Sequence, residues 1–161
     1  MKLIIGSDKS GFPLKESIKS YLVENNIAFT EVGTLDPVLP TPFFELAPIA
    51  AKAIQKGKAD MAILVCGTGM GVAQVANCYK GVRAAAVESV YTAKMCRAVN
   101  DSNVLCMGGW VIAPEMGIEM TKVFLQTGFT EGLEEWRQEF LQKAKTKFDA
   151  LEDEIYTANG I

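Results

Sequence analysis

Short apolar runs alternate along this chain with stretches in which apolar residues recur at helical spacing. Lys-Leu-Ile-Ile-Gly at 2–6 predicts a first strand, followed by the polar loop Ser7-Asp8-Lys9-Ser10-Gly11. Pro13 suits a first helical turn, where the N–H it lacks has no partner anyway. Phe12, Leu14, Ile18, Tyr21 and Leu22 then give one apolar helix face, closed by Asn25-Asn26. Residues 28–32 predict a second strand ending at Gly33, and 34–42, with three prolines, one long irregular loop. A second helix is predicted over 44–58, with Leu46, Ile49, Ala50, Ala53 and Ile54 on one face. Pro48 is tolerable there only in the first turn. A third strand at 61–65, a helix at 70–78, a strand at 83–87, a helix at 90–98 and a strand at 104–107 follow. Pro114 opens a helix carrying Met116, Ile118, Val123, Phe124 and Leu125.

Five strands alternating with helices predict an α/β fold: a five-stranded parallel, doubly wound sheet in three layers. The chain reads as one domain over 1–161, with a core at 1–127 and a helical extension at 128–161. In that extension Leu133, Trp136, Phe140, Ala144, Phe148, Leu151 and Ile155 form a long amphipathic stripe. A helix of about 24 residues runs ~36 Å, further than a domain this size easily covers. It either lies back on its own domain or packs against a second subunit, the preferred reading.

Composition narrows the chemistry. A net charge of −3 favours neither nucleic acid nor an anionic membrane. No apolar run approaches the roughly 18 residues of a membrane span, and no signal peptide is evident, so a cytoplasmic setting with reduced thiols is expected. Cys66, Cys78, Cys96 and Cys106 show no C-x-x-C spacing. The chain contains no histidine, which leaves proton transfer to Cys, Asp, Glu, Lys or Tyr. No metal and no cofactor are expected.

The central stretch is Met61-Ala-Ile-Leu-Val-Cys66-Gly67-Thr68-Gly69-Met70-Gly71, a buried strand feeding a glycine loop that opens a helix. In a parallel sheet, ligands collect beyond the carboxyl ends of strands. Candidates by that rule are Asp8-Lys9-Ser10, residues 66–71, Glu88-Ser89 and Gly108-Gly109-Trp110. Asn100-Asp101-Ser102-Asn103 precedes its strand and needs another reason to be close. Gly67, Gly69 and Gly71 make neither a dinucleotide nor a nucleoside-triphosphate fingerprint. They either form a tight turn or offer backbone N–H groups to an anion or an oxyanion. Cys66 is either a packed thiol or, at a helix start, a base suited to proton abstraction beside a carbonyl, with Thr68 as orienter. Asp8 and Lys9 are either solvated or bind a hydroxyl and an anionic group. Arg83 is as readily structural as functional, and Lys94 and Arg97 read as helix surface.

Five motifs then occur in order: Gly-Ser-Asp with a later Gly at 6–11, Val-Gly-Thr at 32–34, Cys-Gly-Thr-Gly-Met-Gly at 66–71, Gly-Val-Arg-Ala at 81–84, and Asn-Asp-Ser-Asn-Val-Leu with Gly-Gly at 100–109. Over about residues 1–126 the chain resembles the B-type ribose-5-phosphate isomerase and galactose-6-phosphate isomerase family. The resemblance implies a flavodoxin-like or Rossmann-like sheet and a homodimer, or dimer of dimers, with active sites shared between subunits. It also implies metal-independent interconversion of an aldose phosphate and a ketose phosphate through an enediolate. Cys66 is then the base, and Thr68 with the amides of Gly67, Gly69 and Gly71 steadies the enediolate. Asp8 and Asn100 contact sugar oxygens, and Lys9 and Arg137 meet the phosphate.

Departures from the family pattern are specific. Lys9 and Val99 stand where the family has histidines, the second associated with ring opening. Trp110 follows Gly109 where an arginine is usual, and Gly132-Leu133-Glu134-Glu135 replaces Gly-Gly-Arg-His. Around Pro42-Phe43-Phe44 the usual Asp-Tyr-Pro is missing. An open-chain substrate such as a tetrulose phosphate needs no ring opening and accounts for Val99. The alternatives are a non-catalytic subunit whose partner supplies the missing groups, and a flavodoxin-like FMN or nucleotide binder.

Overall fold

The computed structural model describes residues 1–158. Five strands alternate with five helices and a long sixth helix follows: β1 (Leu3–Ser7), α1 (Phe12–Glu24), β2 (Phe29–Gly33), α2 (Phe43–Gln55), β3 (Met61–Cys66), α3 (Met70–Ala76), β4 (Ala84–Ala86), α4 (Val90–Ala98), β5 (Val104–Gly108), α5 (Pro114–Gln126) and α6 (Glu135–Ala158). All strand pairs are parallel, in the order β2-β1-β3-β5-β4.

That order follows from right-handed crossovers. The chain steps from β1 outward to β2, back across β1 to β3, past one position to β4, then inward to β5. Connections running one way place α2 and α3 on one face, and those running the other way place α1 and α4 opposite, where α5 joins them. Each face buries its own apolar layer. Leu46, Ala50, Leu64, Val72 and Cys106 lie under α2 and α3, and Ile5, Ile18, Leu22, Ile63, Leu105 and Phe124 under α1, α4 and α5. β1, β3 and β5 are covered on both sides, which is why they read as unbroken apolar runs.

Two features differ from the pattern-based expectation. Pro48 is the sixth residue of α2, not in its first turn. The helix ladder begins with Leu46 N–H donating to Pro42 O, so Pro48 removes one early hydrogen bond and the helix carries on. Arg97 is buried rather than on the surface. Its guanidinium donates to Ser102 O at 2.6 Å, Thr127 O at 3.3 Å and Asp101 Oδ1 at 3.1 Å, fastening the end of α4 to the loops around it.

A buried cation holds the β1–β2 side. Lys15, on α1, is fully buried and its ammonium meets Glu31 of β2, Glu16, and the carbonyl of Thr34 at 2.7 Å. Thr34 in turn donates its N–H to Ser7 O and accepts from Thr41 N–H, so both ends of the proline-rich loop are tied to the end of β1.

α6 is attached differently. It spans 24 residues, and none of them is buried. Its ties to the core are Arg83 to Asp149, Lys80 to Asp153 at 2.7 Å, Lys145 to Asp101 at 3.7 Å, Glu152 accepting from Gly81 N–H at 2.8 Å, and Tyr156 donating to Cys78 O at 3.0 Å. Arg83 also lies over the Phe148 ring, so its role here is structural. Trp136 and Phe140 stay about two-thirds exposed at the helix start.

Candidate active site

β1 and β3 are neighbours, and the chain leaves them in opposite directions, so the crevice beyond their carboxyl ends is the topological switch point of the sheet. Asp8 follows β1, and its N–H donates to Val65 O at 3.1 Å, setting it beside Cys66 at the end of β3. One carboxylate oxygen of Asp8 accepts from Gly11 N–H at 2.9 Å, which shapes the turn into α1. Lys9 is exposed on that turn.

The Cys66 loop is built by its glycines. Gly69 has φ +79°, the left-handed region, and a Cβ there would come within 2.9 Å of the Met107 carbonyl carbon. With that kink, Gly69 N–H turns back and donates to Cys66 Sγ at 3.2 Å. Gly71 faces the ring of Phe43, which a Cβ would meet at 3.0 Å. Thr68 is exposed at the loop tip, and its Oγ1 accepts from Met70 N–H at 3.4 Å. The Cys66 side chain is therefore buried beneath the loop, at the edge of the apolar layer under α2 and α3, and the Thr68 hydroxyl stands exposed above it.

β5, not β4, supplies the third wall, because it lies between β3 and β4. Gly109 N–H donates to Cys66 O at 2.8 Å and Trp110 N–H to Gly67 O at 3.0 Å. Gly109 also abuts Ser10, where an added Cβ would lie 2.6 Å from the carbonyl oxygen. The loops at 8–11, 66–71 and 108–111 thus converge on one point. Glu88 and Ser89 take no part. The sheet order carries β4 away to the edge, and Ser89 caps α4, accepting from Thr92 N–H while Thr92 reaches back.

The four cysteines separate by environment. Burial pushes the Cys96 thiol up to about 11, and deep burial beside Cys66 and Cys96 raises Cys106 well above the usual thiol range. Both are held as neutral thiols at pH 7, and Cys78 is exposed just beyond the end of α3. Cys66 alone among them ends a strand at the switch point with an N–H aimed at its sulfur.

Asn100 and Arg137 are not brought to this point. Asn100 follows α4 at the opposite end of β5, where Asn103, just before the strand, accepts at its O from Ala62 N–H at the start of β3. About four strand residues, or ~13 Å, separate that level from Cys66. Val99 and Asn100 instead line a groove of about 860 Å³ between α6 and the β4 side of the core, with Arg83, Lys145, Phe148 and Leu151. Arg137 sits half-buried in the first turn of α6, its guanidinium without a hydrogen bond or ion pair among the described residues. No helix among the described residues is long and apolar enough to cross a membrane.

Comparison with known proteins places these features in a family context. Residues 3–141 match the family model described as Ribose/Galactose Isomerase. The chain is 61% identical to a 4-deoxy-4-sulfo-D-erythrose isomerase of Clostridium sp. (strain MSTE9), covering 97% of this chain and 98% of that one. It is 37% identical to D-erythrulose-4-phosphate isomerase 2 of Mycolicibacterium smegmatis, over 80% of this chain and 86% of the relative. Among solved structures, a Clostridium thermocellum ribose-5-phosphate isomerase B superposes with TM-score 0.85 at 28% identity, covering 96% of this chain and 99% of that one.

Proposed function

The chain belongs to the ribose/galactose isomerase family, and from that premise we propose that it isomerises a four-carbon, open-chain aldose ending in an anionic group, 4-deoxy-4-sulfo-D-erythrose above others. The observation that carries the reaction is Cys66 at the meeting of three loops with Gly69 N–H on its sulfur. As a thiolate, Cys66 takes the proton from C2. The electron pair forms C1=C2, and the carbonyl oxygen O1 becomes the enediolate oxyanion. Cys66 returns its proton to C1 while the hydroxyl proton of O2 passes to O1, leaving the ketose. Thr68 and the loop amides stabilise the developing oxyanion, and Asp8 orients a substrate hydroxyl.

Substrate length and anion are read from residues that differ from the family pattern. When C4 carries sulfur in place of a hydroxyl, no oxygen remains to close a five-membered ring on C1. Such a substrate stays open, and an apolar Val99 does no harm where a ring-opening acid would otherwise be needed. A sulfonate is a monoanion, which suits a site where Arg137 stands beside Glu134 and Glu135. The relative at 61% identity supports the same choice through its name.

The site is completed by a second copy. Asn100 and Arg137 lie apart from their own Cys66, and the apolar residues at the start of α6 are uncovered. A homodimer in which each α6 and Asn100 serves the other copy's crevice answers both observations.

Product NMR in deuterated water tests the reading. 4-Deoxy-4-sulfo-D-erythrose is expected to turn over with solvent deuterium at C1 of the product, faster than D-erythrose 4-phosphate and far faster than D-ribose 5-phosphate. Cys66→Ala is expected to lose about 10³-fold or more. Equal inertness of wild type and variant on all three would remove the reading, and ribose 5-phosphate as the best substrate would remove its four-carbon part.

A further inference from the structure

Trp110 is the largest side chain at the meeting of the three loops, and the reaction as described gives it no work. Its position is nonetheless closely determined. A Cβ built on Gly67 would lie 2.8, 2.8 and 2.9 Å from Cη2, Cζ3 and Cε3, three consecutive carbons of the indole. A point equally far from three atoms of one ring lies near the ring axis, so the six-membered ring faces the Gly67 Cα. The residue after the thiol lacks a side chain, and the indole occupies the space one would have filled.

The backbone fixes this arrangement from both sides. Trp110 N–H donates to Gly67 O at 3.0 Å, and the preceding Gly109 N–H donates to Cys66 O at 2.8 Å. Gly109 is pressed against Ser10 closely enough that it too must be glycine. Still, 73% of Trp110 is exposed, so the packing of the core does not account for it. An aromatic ring laid on the residue that follows Cys66, and otherwise left in water, is a wall for something that binds there.

We infer that Trp110 sets the length of substrate the site accepts, its indole filling the space that a fifth carbon would need. The inference rests on the isomerase reading above. With C1 and C2 held over Cys66, the rest of the chain must leave past the Gly67 loop, where the indole stands. A four-carbon aldose carries its anion past the ring edge, and a longer chain collides with the ring. The residue acts on specificity rather than on proton transfer.

The test compares 4-deoxy-4-sulfo-D-erythrose with 5-deoxy-5-sulfo-D-ribose, which share a terminal group and differ by one carbon. Ring closure of the longer compound cancels when variant is divided by wild type. Trp110→Ala is expected to raise the five- to four-carbon ratio of kcat/KM by about tenfold or more, the range that one methylene in a shaped pocket commands. Trp110→Phe, which keeps a smaller ring, is expected to fall between. Sedimentation of each variant accompanies the kinetics. A ratio unchanged within about twofold in an active variant overturns the length role alone. So does a parallel loss of both activities with dissociation into monomers, which would make Trp110 an interface contact. Wild type inert on the four-carbon compound sinks the isomerase reading together with this one.

Discussion

The Cys66 crevice and the C-terminal helix are held by opposite means. At the crevice, close backbone approach does the positioning: glycines at 69, 108 and 109 leave no room for a Cβ, and each strand end is pinned by a neighbour's carbonyl. α6 buries no residue and is tied down by ion pairs and polar contacts, most of them on half-exposed side chains. Groups that move a proton must be preorganised to a fraction of an ångström, which dense packing supplies. A segment that must also fit another surface is better held by contacts that adjust at little cost.

Mixing inactive variants bears most strongly on that contrast. Cys66→Ala and Asn100→Ala homodimers, each nearly inactive, should regain about a quarter of wild-type activity after joint unfolding and reassembly. Half of the dimers formed are mixed, and each of those holds one intact site. No recovery would place Asn100 in its own chain's site and dissolve the contrast.

The next effect is on stability. Gly69→Ala puts a Cβ at positive φ against the backbone of Met107 and Gly108, and is expected to cost about 2–4 kcal/mol in chemical denaturation. A loss below ~1 kcal/mol would show that the loop is adjustable after all.

The buried Lys15 site adds an acid dependence to the packed half. Burial of Glu31 by itself would raise its carboxyl pKa, but hydrogen bonds and charge from Lys15 and Lys19 outweigh this and hold it below the ordinary 4.5. A depressed folded-state value means a contribution fully present above pH ~4.5 and lost as pH falls through the folded value. Thermal melts of wild type should therefore drop more steeply below pH ~4.5 than those of Glu31→Gln. At neutral pH that variant is expected to be about 2 kcal/mol less stable, since Lys15 keeps Glu16 and the Thr34 carbonyl. Parallel pH curves would discount the network.

The smallest effect belongs to α6. Arg83→Gln removes its link to Asp149 and is expected to cost under ~1 kcal/mol overall. Amide exchange should quicken in α6 and not in β1 or β3. Raising salt to about 1 M, where the Debye length is ~3 Å, should loosen α6 in wild type in the same way. Equal changes in helix and core would mean that α6 is part of the packed unit.

Much of this was legible in the residues, unevenly. Strand and helix periods placed all five βα alternations, and the glycine spacing at 67, 69 and 71 located the crevice. The position of β5 between β3 and β4 was not legible, because apolar period says which face a residue takes and nothing of a strand's lateral neighbours. That order is why Gly109 and Trp110 join the site while Ser89 caps a helix. Arg97 read as helix surface because charge normally stays in water, and no pattern singled out Lys15. Each is buried where carbonyls and carboxylates compensate it. The roles expected of Asn100 and Arg137 came from family resemblance, and one chain does not bring them to Cys66.

One consequence of the sheet order concerns solubility. β4 is an edge strand of only three residues, and Ala84 and Ala85 lie on the groove roofed by Phe148 and Leu151 of α6. The Asn77 side chain pairs the N–H and C=O of Ala84 at 2.7 and 2.9 Å, and the helix acts as an awning over this short edge, which could otherwise template strand addition from another molecule. If α6 swings out to serve a second copy, that copy's helix must shelter the edge left bare. Reciprocal exchange then protects against aggregation as well as completing two sites, and a chain shortened before residue 135 would be expected to precipitate rather than persist as an inactive monomer.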